Sequence, residues 1–123
     1  MAKKQISVMP YKKLIEQNPL ALATASKAGR PNVIGVAFVK VVSGKALLVS
    51  DNFMSQTRRN LAANNSVCLA VWDKQWKGCK LVGKAEYHSE GKWARMVKAM
   101  PENKGLPAKG AILVKIAKVI PLQ

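Results

Sequence analysis

A chain of 123 residues, 49 % of them apolar, has the length and composition of one folded domain spanning residues 1–123, and it is too apolar for intrinsic disorder. Its 21 lysines and arginines against 6 acidic residues give a formal charge of +15, a field that draws anions such as nucleic acid or a phosphorylated small molecule. The basic residues are scattered, in pairs at most (Lys3-Lys4, Lys12-Lys13, Arg58-Arg59), so no basic face is built and specific nucleic-acid binding is not expected. No apolar run is long enough for a membrane span, and the basic N-terminal stretch lacks the apolar core of a secretory signal; the expectation is a cytoplasmic protein.

From the N-terminus, residues 10–18 read as a short helix: Pro10 suits a first helical position, and Leu14 with Ile15 supplies one apolar side. LALATAS reads as a strand and KAGRP as a turn, and the β-branched run NVIGVAFVKVV (32–42) reads as one continuous second strand. Ser43-Gly44-Lys45 turns tightly into a third strand, Ala46 to Ser50, so strands two and three should pair as a hairpin. Ser55 then stands where a side-chain oxygen could cap an early helical N–H. That helix should run to about Asn64 and close on Asn64-Asn65, residues that tolerate left-handed dihedrals. Only Leu61 and the alanines give it an apolar side, so it is a short crossover.

Residues 66–72 form a fourth strand with Cys68 as a small core residue, DKQWKG a turn, and 79–87 a fifth strand. Gly83 in its middle implies a bulge or a close backbone approach. In GKWARMVKAM, Trp93, Met96, Val97 and Met100 fall at i, i+3, i+4 and i+7, which is one packing face of a helix. PENKGLPAKG is a loop, and 111–120 the last strand. Tight turns within the strand groups favour antiparallel pairing, and six short strands can close into a small barrel. Phe38 and Tyr87 are the aromatics placed inside strands.

Several chemistries find no residues. Cys68 and Cys79 lie eleven positions apart with no second thiol pair and no histidine cluster, which points away from zinc and from a structural disulfide. The one histidine, His88, adjoins a turn and reads as a surface residue. Without a G-x-S-x-G stretch it has no nucleophile to serve. The suggestive stretch is SDNFMSQTRRNLAANN, which places Ser55, Gln56, Thr57, Arg58 and Arg59 at a helix start. A helix start carries unpaired N–H groups and partial positive charge, so it favours an anion. Gln56 and Thr57 can donate to phosphate oxygens, and the arginines can add charge-assisted bonds. The plainer alternative is that Ser55 caps the helix and the arginines solvate it.

ALATASKAGRPNVIGVAFVKV, LLVSDNFMSQTRRNLAANNSVCLAVWD and GCKLVGKAEY, in that order, resemble the pyridoxamine 5'-phosphate oxidase-like flavoproteins over about residues 20–87, with the last strand as a further match. The resemblance implies a mainly β fold with short helices: a six-stranded antiparallel split barrel of the FMN-binding type, forming a homodimer with FMN at the subunit interface. It implies the phosphate at Ser55, Gln56, Thr57 and Arg58, and the flavin ring near Gly35, Val36, Ser50, Asp51 and Asn52. Many relatives carry a lysine where this chain has Gln56 or Thr57, and Arg58 or Lys84 is expected to replace that charge. Asp51 is either a ligand or a turn residue. Trp72 and Trp76 either cover a partner subunit's flavin or pack at an interface or core, and Trp93 belongs to the core. The sequence lacks the Arg-x-His motif of the family's oxidases, so pyridoxamine phosphate oxidation is not implied. The implied function is an FMN-dependent redox protein with an unassigned small-molecule substrate or redox partner. The alternatives are a basic β-barrel module for nucleic acid, or a split barrel holding heme or a deazaflavin.

Overall fold

The computed structural model describes residues 6–122; the first five residues of the N-terminal stretch read against a signal, the basic pair Lys3-Lys4 among them, lie outside the described residues. The first strand sets the pattern for the sheet. In β1 (Leu20–Ala25), Leu20, Leu22 and Thr24 are buried while Ala21, Ala23 and Ala25 are half-buried on the other face, the period of two that a strand imposes. The remaining strands are β2 (Pro31–Val36), β3 (Val39–Ser43), β4 (Ala46–Asp51), β5 (Ser66–Trp72), β6 (Gly78–His88) and β7 (Gly110–Pro121). Every pairing is antiparallel, in the order β2-β1-β5-β6-β7-β4-β3. A 3-10 turn leads into α1 (Lys12–Gln17); α2 (Gln56–Ala63) joins β4 to β5, and α3 (Lys92–Ala99) precedes β7. No helix among the described residues is long and apolar enough to cross a membrane.

The expected continuous strand over 32–42 is divided. Val36 pairs with Leu20 at one edge of the sheet, whereas Val39 pairs with Val49 at the other. The cause is parity. Ile34 and Val36 face inward at even positions, and Val39 and Val41 face inward at odd ones. An uninterrupted strand would turn one of these sets to solvent, because a shift of one residue flips every side chain. The break at Ala37-Phe38 lets both sets reach the core, and it moves Phe38 out of a strand interior. The six strands expected thus become seven segments, and the hairpin of β3 with β4 forms as anticipated.

Since β2 and β3 are the outermost strands and two residues join them, the sheet must roll until its edges approach one another, without pairing. Leu22, Leu47, Leu69, Leu81, Ile112 and Val114 fill the interior and are fully buried. Ile15 of α1 and Leu61 of α2 join the same core. A second core lies outside the roll, where Val97 and Met100 cover Leu48, Ala111 and Leu113, with Trp93 and Met96 alongside. The helical stripe read from the sequence is therefore the lid over the outer face of β4 and β7.

Two local expectations are corrected. Cys68 alternates with buried Val67 and Leu69, so it lies half-buried on the outer face; Cys79 is the core cysteine, and burial pushes its thiol up to about 11. Asn64 is extended, with φ −149°, and the Asn64 N–H bonds the Asn60 carbonyl at 2.7 Å, so α2 passes into β5 with no left-handed residue. Gly83 does mark a register shift, between Val82 and Gly83. A Cβ there would stand 2.1 Å from the Lys115 carbonyl oxygen, which is backbone and cannot swing aside. Gly83→Ala is expected to cost about 1–3 kcal/mol of stability through overpacking, read as a lower denaturant midpoint; an unchanged midpoint contradicts the close approach.

Candidate functional site

A cavity of about 500 Å³ opens where the two edges of the sheet fail to join. One wall is β2 and the bend, from Asn32 to Phe38; the other is the end of β4, the turn after it, the start of α2 and Leu106. β2 pairs with β1 and no other strand, so the backbone groups on its second edge have no ladder partner. Ile34, Val36, Phe38, Met54 and Leu106 give the cavity apolar sides.

The turn after β4 is built around Asp51, which is fully buried. The Asp51 carboxylate accepts the Met54 N–H at 2.9 Å and the Tyr87 hydroxyl. Arg58 stacks 4.7 Å over the Tyr87 ring, and Gly110 leaves room for that ring, since a Cβ there would sit 2.5 Å from the phenol oxygen. Burial first, then the hydrogen bond and charge of Asp51, pushes the Tyr87 phenol up to about 12. The Asp51 carboxylate is thus engaged in shaping the turn, and Arg58 braces the turn against β6.

The start of α2 departs from the expected cap. Ser55 holds the N-cap position, but no side-chain capping bond forms. Instead, Ser55 Oγ accepts from the Arg59 guanidinium at 3.1 Å, which also donates to Gln56 Oε1 at 2.9 Å. The spacings of four and three residues put these side chains on one helix face, so Arg59 is drawn back over the helix start. The first turn contains no acidic residue. The first N–H groups of α2 therefore meet no side-chain acceptor, beside a guanidinium and beside Lys109 Nζ, which donates to the Met54 carbonyl at 3.4 Å. Cations next to a helix N-terminus repel its partial positive charge, so this rim is complementary to an anion. Just inside it, Thr57 is buried, and its Oγ1 accepts from Asn32 Nδ2 at 3.2 Å, leaving the hydroxyl proton uncommitted. Gln56 Nε2 donates to Asn60 Oδ1 at 2.8 Å, and Asn60 donates onward to Thr24 Oγ1 at 3.0 Å.

Of the residues singled out in the sequence, Gly35, Val36, Ser50, Asn52, Ser55, Gln56 and Thr57 line this one cavity. Asp51, Arg58 and Lys84 do not; Lys84 is exposed on β6 and donates to Ser66 Oγ at 3.2 Å. Sequence reasoning missed Asn32, Phe38, Leu106 and Asn103. Asn32 had a signal, being polar at an inward-facing position of an apolar strand. Asn103 ends a single 3-10 turn, Pro101–Asn103, and Leu106 follows it, in a Pro- and Gly-rich connection too short to show periodicity. Among the described residues, no group of three His, Cys, Asp or Glu could hold a metal ion.

The family model described as pyridoxamine 5'-phosphate oxidase matches residues 11–123. An uncharacterized protein of Methanocaldococcus jannaschii is 31 % identical over 115 residues, which cover 90 % of this chain and 77 % of that protein. Among solved structures, HupZ of Group A Streptococcus superposes with a TM-score of 0.84 at 24 % identity, covering 100 % of this chain and 95 % of that one. An FMN-binding protein from Syntrophomonas wolfei superposes with a TM-score of 0.79 at 16 % identity, covering 94 % and 86 %.

The Tyr87–Asp51 contact carries a pH signature. The phenol is neutral in the bonded form and its folded-state pKa is raised, so its contribution is complete below about pH 10 and is lost as pH rises toward about 12. Denaturant midpoints should therefore fall across that window, and Tyr87→Phe should lower stability at neutral pH while flattening the fall. A phenolate titration showing every tyrosine ionising near the free value contradicts the contact.

Proposed function

The chain belongs to the pyridoxamine 5'-phosphate oxidase-like split-barrel family, and from that membership we propose that it is an FMN-binding redox protein acting as a homodimer. The observation that carries the reading is the uncapped start of α2, crossed by Arg59 and with no acidic residue in its first turn, at one end of a largely apolar cavity. FMN has the matching parts: a flat ring with polar edges, and a phosphate at the end of a flexible chain. The residues fit it. Thr57 and the N–H groups of α2, with Arg59, would hold the phosphate. The free edge of β2, with Ser50 and Asn52, offers donors and acceptors to the ring edge, while Ile34, Phe38 and Met54 exclude water. When bound, the flavin supplies one- or two-electron transfer. The chain's own part is to place the ring between uncharged walls, with the cations Arg59 and Lys109 at the α2 end and a net positive charge whose field solvent ions screen beyond about 10 Å.

The homodimer rests on an asymmetry of the outer surface. α3 covers the outside of β4 and β7, but among the described residues no element covers the outside of β2, β1, β5 and β6. There, Val33, Ala23, Cys68 and Val82 are register partners in one row across the four strands, and Gly35, Ala21 and Ala70 form part of the next. These rows are apolar, and Trp72 and Trp76 stack at the end of β5 with centroids 6.0 Å apart. A second copy is a fitting cover, and Gly35 lies both on this face and on the cavity, so a partner seated here would reach the rim of the site.

Two measurements test the reading. The protein should bind one FMN per chain. Thr57→Ala combined with Arg59→Ala should weaken FMN by about 10–100-fold, the scale of one or two charge-assisted bonds, and leave riboflavin nearly unchanged. Equal losses for both ligands remove the phosphate assignment. Separately, Ala23→Arg should convert a sedimenting dimer to a folded monomer; a wild-type chain that sediments as a monomer refutes the homodimer.

A further inference from the structure

The loop between α3 and β7 carries no family motif, yet it is tied to the cavity by a chain of hydrogen bonds whose direction is fixed at both ends. At one end the Ala108 N–H donates to Asn52 Oδ1 at 2.8 Å. A backbone N–H can only donate, so the oxygen of Asn52 must face it and the amide nitrogen must face the other way. Asn52 Nδ2 then donates to Asn103 Oδ1 at 3.2 Å. At the other end Asn103 Nδ2 donates to the Val97 carbonyl at 2.7 Å, a group that can only accept. Both asparagines are thereby held in one orientation. The second proton of Asn103 Nδ2 goes to Ser50 Oγ at 2.8 Å. Asn103 is 3 % exposed and Ser50 is 8 % exposed, so solvent does not compete for these bonds.

The consequence falls on Ser50, which lines the cavity. Its oxygen already accepts from Asn103, and its own proton has no strong protein acceptor: the nearest is the Met100 sulfur at 3.9 Å, a weak one. Asn52 also reaches the cavity with its oxygen taken and an N–H to spare. Thr57, at the phosphate end, shows the same pattern, accepting from Asn32 and keeping its proton.

Resting on the flavin reading above, we infer that Asn103 is a positioning residue that holds Ser50 as a hydrogen-bond donor to the cavity, so that the site selects a ligand edge bearing a carbonyl or imine acceptor, as an oxidised flavin ring does. Asn103 does not touch the ligand. It acts through Ser50, and the loop that carries it, together with Leu106, is the wall that sets which edge the cavity accepts. An aspartate at this position keeps the shape but turns lone pairs toward Ser50, which draws the hydroxyl proton away from the cavity.

The test is a double-mutant cycle on the full chain, with FMN and riboflavin as probes and the visible flavin band as a second readout. Ser50→Ala and Asn103→Asp should each weaken both flavins by about tenfold, one hydrogen bond's worth, and shift the band alike. The double variant should be no weaker than either single one, because both remove the same donor. Losses that multiply to about a hundredfold, or an Asn103→Asp protein that binds and absorbs as wild type does, overturn the positioning role while FMN binding stands. If wild type binds neither flavin, the cofactor reading falls and this inference falls with it. Should Asn103→Asp fail to fold, Ser50→Ala decides alone: unchanged affinity for both flavins overturns the inference.

Discussion

The structure depends on a change of parity between Val36 and Val39. Apolar residues sit at even positions before it and at odd positions after it, and the sheet accommodates both by spending Ala37 and Phe38 on a bend. That bend sends one stretch of chain to opposite edges of the sheet. The roll is then closed by a covalent link instead of a hydrogen-bonded ladder. Rungs are missing along the second edge of β2, and the cavity lies in that gap. Edge backbone groups are usually a hazard that proteins hide. Here they form a polar wall beside Phe38, the residue that the bend itself turns into the site.

Polar burial follows the same geography. Among the described residues the buried polar ones are Thr24, Ser50, Asp51, Thr57, Asn60 and Asn103; five of them line the cavity or bond to a residue that does, and Thr24 is joined to it through Asn60. Among the described residues no buried side-chain polar atom lacks a partner. Such networks are costly unless complete, because a lone buried donor loses its water without compensation. Their concentration at one place, in a domain whose remaining core is aliphatic, means that local rigidity is bought for the walls of the cavity. The turn illustrates it: Asp51 is consumed in shaping the backbone and bracing Tyr87, and it leaves the neighbouring Ser50 and Asn52 to line the cavity.

Much of this was legible in the sequence, for physical reasons. The helical stripe from Trp93 to Met100 and the alternation in β1 and β5 are periodic, and periodicity survives without coordinates. Gly83 announced its bulge because no side chain fits there. The errors came where parity or long-range contact decides. Cys68 looked like a core residue in an apolar strand, and only its phase relative to Val67 and Leu69 puts it outside. Arg58 and Arg59 are adjacent and chemically alike, yet helix spacing turns one toward Tyr87 and the other onto Ser55 and Gln56. Asn103 lies 53 positions from Ser50, and no local pattern connects them.

If two copies pair as proposed, charge and apolar contact pull against each other in this chain. Two copies at +15 each repel one another, and although salt screens distant charges, those near a shared face remain within a Debye length. The uncovered outer face nevertheless consists of alanine, valine, glycine and cysteine, with Lys80 beside Ala70 and Lys84 beside Ser66 at its border. A surface of that kind gains from apolar contact and loses from crowded cations. An anion held at the start of α2 would reduce the loss without touching the gain. If the partner seats on this face, cofactor binding and dimerisation are linked functions, each strengthening the other by the same factor. The excess of lysine and arginine, otherwise unexplained by any basic stripe, would then have a physical counterpart in an anion held at the start of α2.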